Sequence, residues 1–175
     1  LEAKIVHLNK NNEQRCLQII NKTNQFNLTT KRYNLTQIKE FEKNKNNKIF
    51  MISLTDKYGN HGLVSLIMWR CENNFIYIDN FAMSCRVLGR YLETWILAEL
   101  IKYPEKNKVK FLLGEYIQTK KNDLVKNLYK DLGFKKITEN KQFPKNFKKF
   151  FNKKSNKFIA NVNDLKLSGY EKCYK

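Results

Sequence analysis

The segment Ser84-Cys85-Arg86-Val87-Leu88-Gly89-Arg90-Tyr91 is well suited to hold an anion. It lies where an apolar run ends and a helical period begins. Backbone N–H groups at such a junction lack intrahelical acceptors, and the helix dipole favours negative charge. Gly89 lets a ligand approach the backbone closely, and Arg86 and Arg90 add positive charge. The turn therefore fits a pyrophosphate or the phosphate of phosphopantetheine; the alternative is an ordinary strand-to-helix turn with a permissive glycine. Cys85 stands between basic neighbours just ahead of a helix, where a thiol pKa falls. It is a candidate nucleophile or, more simply, a small buried residue. Glu115, toward the end of a strand, is a candidate general base acting directly or through water, or an exposed glutamate.

Two further stretches stand out. In Leu128-Tyr129-Lys130-Asp131-Leu132-Gly133-Phe134 a helix closes on a glycine and an aromatic residue enters the next strand. Tyr129 falls beside the apolar stripe of Val125, Leu128 and Leu132, and by itself reads as a core tyrosine. Earlier in the chain, residues 22–33 show neither helical nor strand periodicity. Asn24, Gln25, Asn27, Thr29, Thr30, Arg32 and Tyr33 crowd hydrogen-bonding groups into this one loop. Such a loop suits a small hydroxylated acyl group; the alternative is a self-satisfied network capping the next helix. His7, on a strand, and His61, in a turn, read as non-catalytic.

The elements that must position these residues follow from pattern. Alternation marks a first strand at 3–8, and the helix at 13–21 carries Cys16, Leu17 and Ile20 on one face. Asn34 with Gln37 makes a capping box for a second helix, with Leu35, Ile38 and Phe41 inward. Three strands at 49–55, 63–70 and 75–83 have short connections and form an antiparallel meander. A helix over 88–103 ends at Pro104. A central strand follows at 109–116, then a helix at 122–132 closed by Gly133 and strands at 134–139 and 158–162. The helical crossover makes the strands at 75–83 and 109–116 parallel neighbours.

Composition bounds the rest. The 175 residues are 42% hydrophobic and 13% aromatic, enough for one domain with a core of its own. No apolar run approaches the ~20 residues that a membrane helix needs, and no secretory signal is visible. The chain opens on Leu1, as expected of a part of a longer protein. Cys16, Cys71, Cys85 and Cys173 have no C-x-x-C spacing, which argues against zinc and for free thiols in a reducing cytoplasm. With 34 basic against 16 acidic residues the net charge is +18, which attracts nucleic acid, anionic membrane or an acidic protein, or is a solvated lysine coat. The acid-free stretch 141–157 mixes lysines with Phe143, Phe147, Phe150 and Phe151, so single-stranded nucleic acid is a minor alternative.

Arg86-Val87-Leu88-Gly89-Arg90 resembles the acyl-CoA pyrophosphate loop of the GNAT acyltransferases, R/Q-x-x-G-x-G/A. Tyr129 to Phe134 resembles their Y-x-x-L-G-F helix end. Tyr91 departs from the pattern, standing where the family has a small residue. The resemblance implies an α+β, three-layer fold with a mixed, mostly antiparallel sheet flanked by helices. It also implies CoA or phosphopantetheine held at residues 86–91, and Tyr129 as proton donor to the leaving thiolate.

Residues 22–33 and 84–90 also resemble the K-T-N-Q-F-N-L-T-T-x-R-Y and S-C-R-V-L-G-R segments of FkbH-like proteins. Those join a HAD-superfamily phosphatase to a C-terminal GNAT-like domain in making methoxymalonyl-carrier extender units for polyketides. The implied partners are an acyl carrier protein and a phosphatase domain of the same polypeptide. The implied substrate is a glyceryl group at the loop of residues 22–33. The chain lacks the D-x-D-x-T/V nucleophile motif of the phosphatase. Two roles remain open: an acyltransferase domain, or a pantetheine-binding module serving the phosphatase.

Overall fold

The computed structural model describes residues 1–102, 109–138, 145–152 and 154–174. In chain order the elements are β1 (Glu2–His7), α1 (Glu13–Lys22), α2 (Leu35–Lys43), β2 (Asn47–Asp56), β3 (Gly59–Glu72) and β4 (Phe75–Met83). They continue with α3 (Leu92–Lys102), β5 (Phe111–Tyr116), α4 (Leu128–Asp131), β6 (Lys135–Lys136) and β7 (Asn156–Asn161). The strands form one seven-stranded sheet in the order β1-β2-β3-β4-β5-β7-β6. Among the described residues only β4 and β5 run parallel; the other pairings are antiparallel. Every residue of β4 is buried, as a strand covered on both faces requires.

Helices cover the two faces. Cys16, Ile19 and Ile20 of α1 and Ile38 and Phe41 of α2 pack on Ile49, Met51, Leu66, Met68 and Ala82. Ile19 takes the inward place expected of Leu17, which is half-buried like Leu35. The expected capping box starts α2: Gln37 N–H donates to Asn34 Oδ1 at 2.9 Å, and Asn34 N–H donates to Gln37 Oε1 at 2.9 Å. The opposite face carries α3, α4 and the C-terminal segment around Ile78, Phe81, Leu112 and Tyr116. Beyond α2 on the first face, Phe147 packs with Phe75, Tyr77 and Leu113.

Three expected elements are shorter than their patterns. α3 begins at Leu92 rather than 88, because Gly89 (φ 74°) and Tyr91 (φ 57°) adopt left-handed backbone that breaks a helical run. The helix expected at 122–132 is a 3₁₀ turn at Asp123–Val125 followed by α4 alone. Asn122 is wholly buried and holds loop groups instead of starting a helix. The strand expected at 134–139 is reduced to Lys135–Lys136, with the Ile137 N–H still donating to Lys157 O of β7 at 2.8 Å; at its start the Phe134 N–H instead closes α4 on Tyr129 O at 2.8 Å. Pro104, Glu139 and Phe143 lie outside the described residues.

Two irregularities shape the centre of the sheet. Met68 pairs with Asn80 while Trp69 pairs with Ile78, so Asp79 is the extra residue of a β-bulge in β4. The β4–β5 ladder holds at Phe75–Phe111, Ile76–Leu112 and Tyr77–Leu113 and then stops. Beyond that point the parallel pair splays, and the backbone groups facing the gap need other partners.

Candidate functional site

The chain fills the splay with its own backbone. Leu28 N–H donates to Phe81 O of β4 at 3.2 Å, and Leu28 O accepts from Ile117 N–H, just past β5, at 2.9 Å. Met83 N–H donates to Phe26 O at 3.0 Å, and Asn27 pairs antiparallel with Ala82. Phe26 and Leu28 are buried in the core on the α3 side, with Phe26 edge-on to Phe81. Phe26-Asn27-Leu28 is thus a short rung set between two diverging strands.

Most of the polar groups of this loop are spent holding it. Asn27 Nδ2 donates to the carbonyls of Ile20 and Thr23, its Oδ1 accepts from Thr30 N–H at 2.8 Å, and its own carbonyl accepts from Asn122 Nδ2 at 3.0 Å. Arg32 donates to Ile20 O, to Thr23 O and to Asn24 Oδ1, closing the C-terminal end of α1. The Thr29 hydroxyl donates to Asp79 O at 3.1 Å, and the Tyr33 hydroxyl donates to the Asp79 carboxylate. The self-satisfied network therefore describes Asn27, Thr29, Thr30, Arg32 and Tyr33. Asn24, which accepts from Arg32, and Gln25 also line a cavity.

That open cavity, about 680 Å³, lies where β4 ends. Its wall includes Arg15 and Lys22 of α1, Ser84, Cys85 and Arg86 of the turn, and Lys120 and Lys121 after β5, with no acidic residue among the described residues that line it. A smaller hollow of about 290 Å³ adjoins it at Asn24, Thr30, Arg32, Thr119, Lys120 and Lys121. Such concentrated charge favours a phosphate.

The turn itself departs from its expected geometry. The amides of Val87 and Leu88 donate within the turn, to Ser84 O at 3.2 Å and Cys85 O at 3.4 Å, so they do not face an anion. Gly89 has nothing within 4 Å of where a Cβ would stand, leaving the space above it open. Cys85 is exposed, not buried; it opens a three-residue 3₁₀ turn at Cys85–Val87, and α3 begins seven residues after it, so the thiol does not sit at the N-terminus of α3. Arg90 is turned to the β2–β3 hairpin, where its Nη1 donates to Asp56 Oδ2 at 2.9 Å beside His61. The Tyr91 ring rests on Gly169, at 3.3 Å from the position of a Cβ there, and is not part of the cavity wall.

A second group of polar residues sits on the α1–α2 face. The bulge turns Asp79, almost fully buried, toward Tyr33, Lys31 and Arg70. Arg70 Nη2 lies 3.1 Å and Lys31 Nζ 3.3 Å from its Oδ1. Lys31 also donates to the Tyr77 hydroxyl at 3.0 Å, and that hydroxyl donates to Glu115 Oε2 at 2.7 Å. Glu115 is fully buried rather than exposed, and its Oε1 accepts from Asn152 N–H at 3.0 Å. Burial above all, and then the Glu115 carboxylate, raise the Tyr77 pKa; burial and then Asp79 raise that of Tyr33. Two carboxylates, two cations and two phenols thus form one connected group. Phe150 stacks on Tyr77 and Phe147 meets Phe75 edge-on, so these two rings pack against the sheet.

Tyr129 lies on the other face. Its ring packs against Gly114 of β5 so closely that a Cβ there would stand 2.3 Å from Cζ. The ring is 2% exposed, and its hydroxyl makes no hydrogen bond of good geometry among the described residues. Burial raises its pKa; the nearby Glu115 amide opposes this and the Glu115 carboxylate adds to it.

Three features escaped sequence reasoning, each with a trace in the sequence. Asp79-Asn80 interrupts the period of two in an apolar strand, which is how a bulge reads. Gly114 sits inside a strand, where glycine marks close approach. Phe26-Asn27-Leu28-Thr29 does alternate, but over too few residues to read as a strand.

No protein-family model matches the chain. No curated protein matches it by sequence. Solved structures do. A GNAT-family acetyltransferase from Staphylococcus aureus Mu50 superimposes with a TM-score of 0.66 at 14% identity, over 91% of this chain and 99% of that one. The ribosomal-protein-S18-alanine N-acetyltransferase of Escherichia coli gives 0.59 at 16% identity, over 90% of each chain. A chain of the NatC complex bound to Gag peptide and CoA gives 0.63 at 13% identity, over 93% and 99%. The mixed splayed sheet, the crossover by α3 and these likenesses agree: the chain has the GNAT acetyltransferase fold.

Proposed function

We propose that this domain serves acyl transfer by docking the phosphopantetheine arm of an acyl carrier protein. The observation that carries the reading is the basic cavity at the end of β4, with Arg15, Lys22, Arg86, Lys120 and Lys121 in its wall. A phosphate brought there meets several cations at once, and charge-assisted hydrogen bonds to it are the strong ones. Carrier proteins are typically acidic, so the +18 chain speeds and orients the encounter. The resemblance of residues 22–33 and 84–90 to FkbH-like proteins supports a glyceryl group as cargo, a HAD-like phosphatase domain as covalent neighbour and a cytoplasmic setting.

Titration of the domain with holo- and apo-carrier protein tests this. The holo form should bind more tightly, and Arg86→Ala should cost about 1–3 kcal/mol of that preference. Equal affinity for the two forms would show that the arm is not read. A second reading, in which the domain itself transfers the acyl group, is favoured by the buried hydroxyl of Tyr129, which makes no hydrogen bond of good geometry among the described residues. It would make Tyr129 the acid and Asp79 or Glu115 the base.

A further inference from the structure

We infer that Phe26–Leu28 is the specificity element of this domain: it occupies the β4–β5 cleft as a fixed part of the fold and keeps the thiol arm of coenzyme A out of it. The inference rests on the docking reading above and deepens it.

An extended chain of amides can enter a splayed parallel pair because the two strands there offer unpaired backbone groups. Pantetheine, with two amides in an extended chain, is such a ligand. In this molecule the partners it would need are already taken. The Phe81 carbonyl and the Met83 amide of β4 are bonded to Leu28 and Phe26, and the Ile117 amide is bonded to Leu28. A single residue, Leu28, reaches both sides of the gap, with its N–H on one strand and its carbonyl on the other.

The segment is anchored on three sides. Leu28 is 0% and Phe26 4% exposed in the core. Asn122 holds the Asn27 carbonyl from the β5 side, and Asn27 in turn holds the last carbonyls of α1. Thr29, at 1% exposure, follows the rung directly and its hydroxyl donates to Asp79 O at the bulge. A flap meant to open would not bury its apolar side chains in the core that α3 and the sheet share.

The consequence is a division of labour along the arm. The phosphate end is read at the basic cavity outside the splay, and the thiol end stays outside the sheet. The acyl thioester is then presented to another domain, and Tyr129, whose ring packs on Gly114 of β5, has no leaving thiolate to protonate.

The test compares coenzyme A with 3′,5′-adenosine diphosphate, which carries the nucleotide phosphates without the arm. For the wild-type domain the two should bind alike or not at all, because the arm adds nothing. In Phe26→Ala/Leu28→Ala, which loosens the rung, coenzyme A should gain at least about tenfold over the diphosphate, a difference of about 1.4 kcal/mol. Wild-type protein that prefers coenzyme A by about tenfold or more overturns the inference.

Hydrogen exchange on the wild-type protein keeps the test decisive if the double variant does not fold. The amides of Leu28, Met83 and Ile117 should keep their protection in saturating coenzyme A. Faster exchange there would identify a displaceable lid and refute a fixed occupant. Loss of the holo-carrier preference without any gain for coenzyme A would sink the docking reading alone.

Discussion

Gly114→Ala is the perturbation whose outcome the geometry specifies best. The added methyl would stand 2.3 Å from Cζ, 2.4 Å from Cε1 and 2.7 Å from the hydroxyl of Tyr129. Separations under 3.0 Å do not persist, so the ring or the strand must move. The ring has little room, since Phe134 and Phe158 flank it with centroids at 4.8 and 5.2 Å. β5 is held in turn by its ladder to β7. Overpacking of a tight core costs about 1–3 kcal/mol, and the rigidity here places this substitution toward the upper end. For a domain of this size that lowers Tm by about 2–4 °C per kcal/mol. Thermal and urea unfolding would measure it for wild type, Gly114→Ala, Tyr129→Leu and the double variant. In the Tyr129→Leu background the methyl should cost at least about 1 kcal/mol less, the sign of direct contact. A Gly114→Ala domain as stable as wild type would refute the tight packing of Tyr129 on β5.

Three further outcomes follow from the same structure. Tyr129→Phe should change stability little, because the hydroxyl it removes makes no hydrogen bond of good geometry among the described residues; a loss above about 1 kcal/mol would show that its approach to the Glu115 amide is a stabilising bond. Iodoacetamide should label Cys85 first in the folded protein and spare Cys16, whose thiol is pushed up to about 12, mainly by burial and then by Glu42 and Glu13. The hydrogen bonds from His61, the Tyr58 amide and Arg90 hold Asp56 down to about 2 from its ordinary 3.8. A carboxylate depressed in the folded state stabilises at higher pH, and that contribution is lost as pH falls through 3.8 toward about 2. Asp56→Asn should flatten this limb in acid unfolding followed by circular dichroism, and an unchanged limb would exclude the cluster as its source.

Local signals made much of the fold legible. The pair Asn34 and Gln37 marks the start of α2 to the residue, because a capping box is closed within one helical turn. β4 is legible end to end, since Asn73-Asn74 and Ser84 bound an apolar run of strand length. The failures are those of side chains acting at a distance. Asn122 looks like a helix start, but it serves Asn27, a residue far away in sequence. Tyr91 looks like an obstruction in a phosphate turn, yet its ring lies on Gly169 near the other end of the chain. Arg90 reads as part of an anion site until Asp56, in the β2–β3 hairpin, takes it. The candidate site divides in the same way. The residues of the cavity turn were visible as a basic cluster. The Asp79 group depends on a bulge that places an acid between two cations from distant segments, and no spacing in the sequence encodes it.

The three-residue ladder between β4 and β5 is also a short seam that divides the sheet into two parts. On one side lies the meander β1 to β4, whose pairings are all between close neighbours in sequence except that of β1. On the other lie β5, β7 and β6. Leu28, bonded to both sides, crosses that line from a loop that belongs to neither. Joining the halves therefore requires closing a long stretch of chain, which local pairing cannot drive and which slows folding. The order of assembly that follows is two part-sheets first, with the loop after α1 locking them together late. Unfolding by force or denaturant would begin by parting the molecule along the same line.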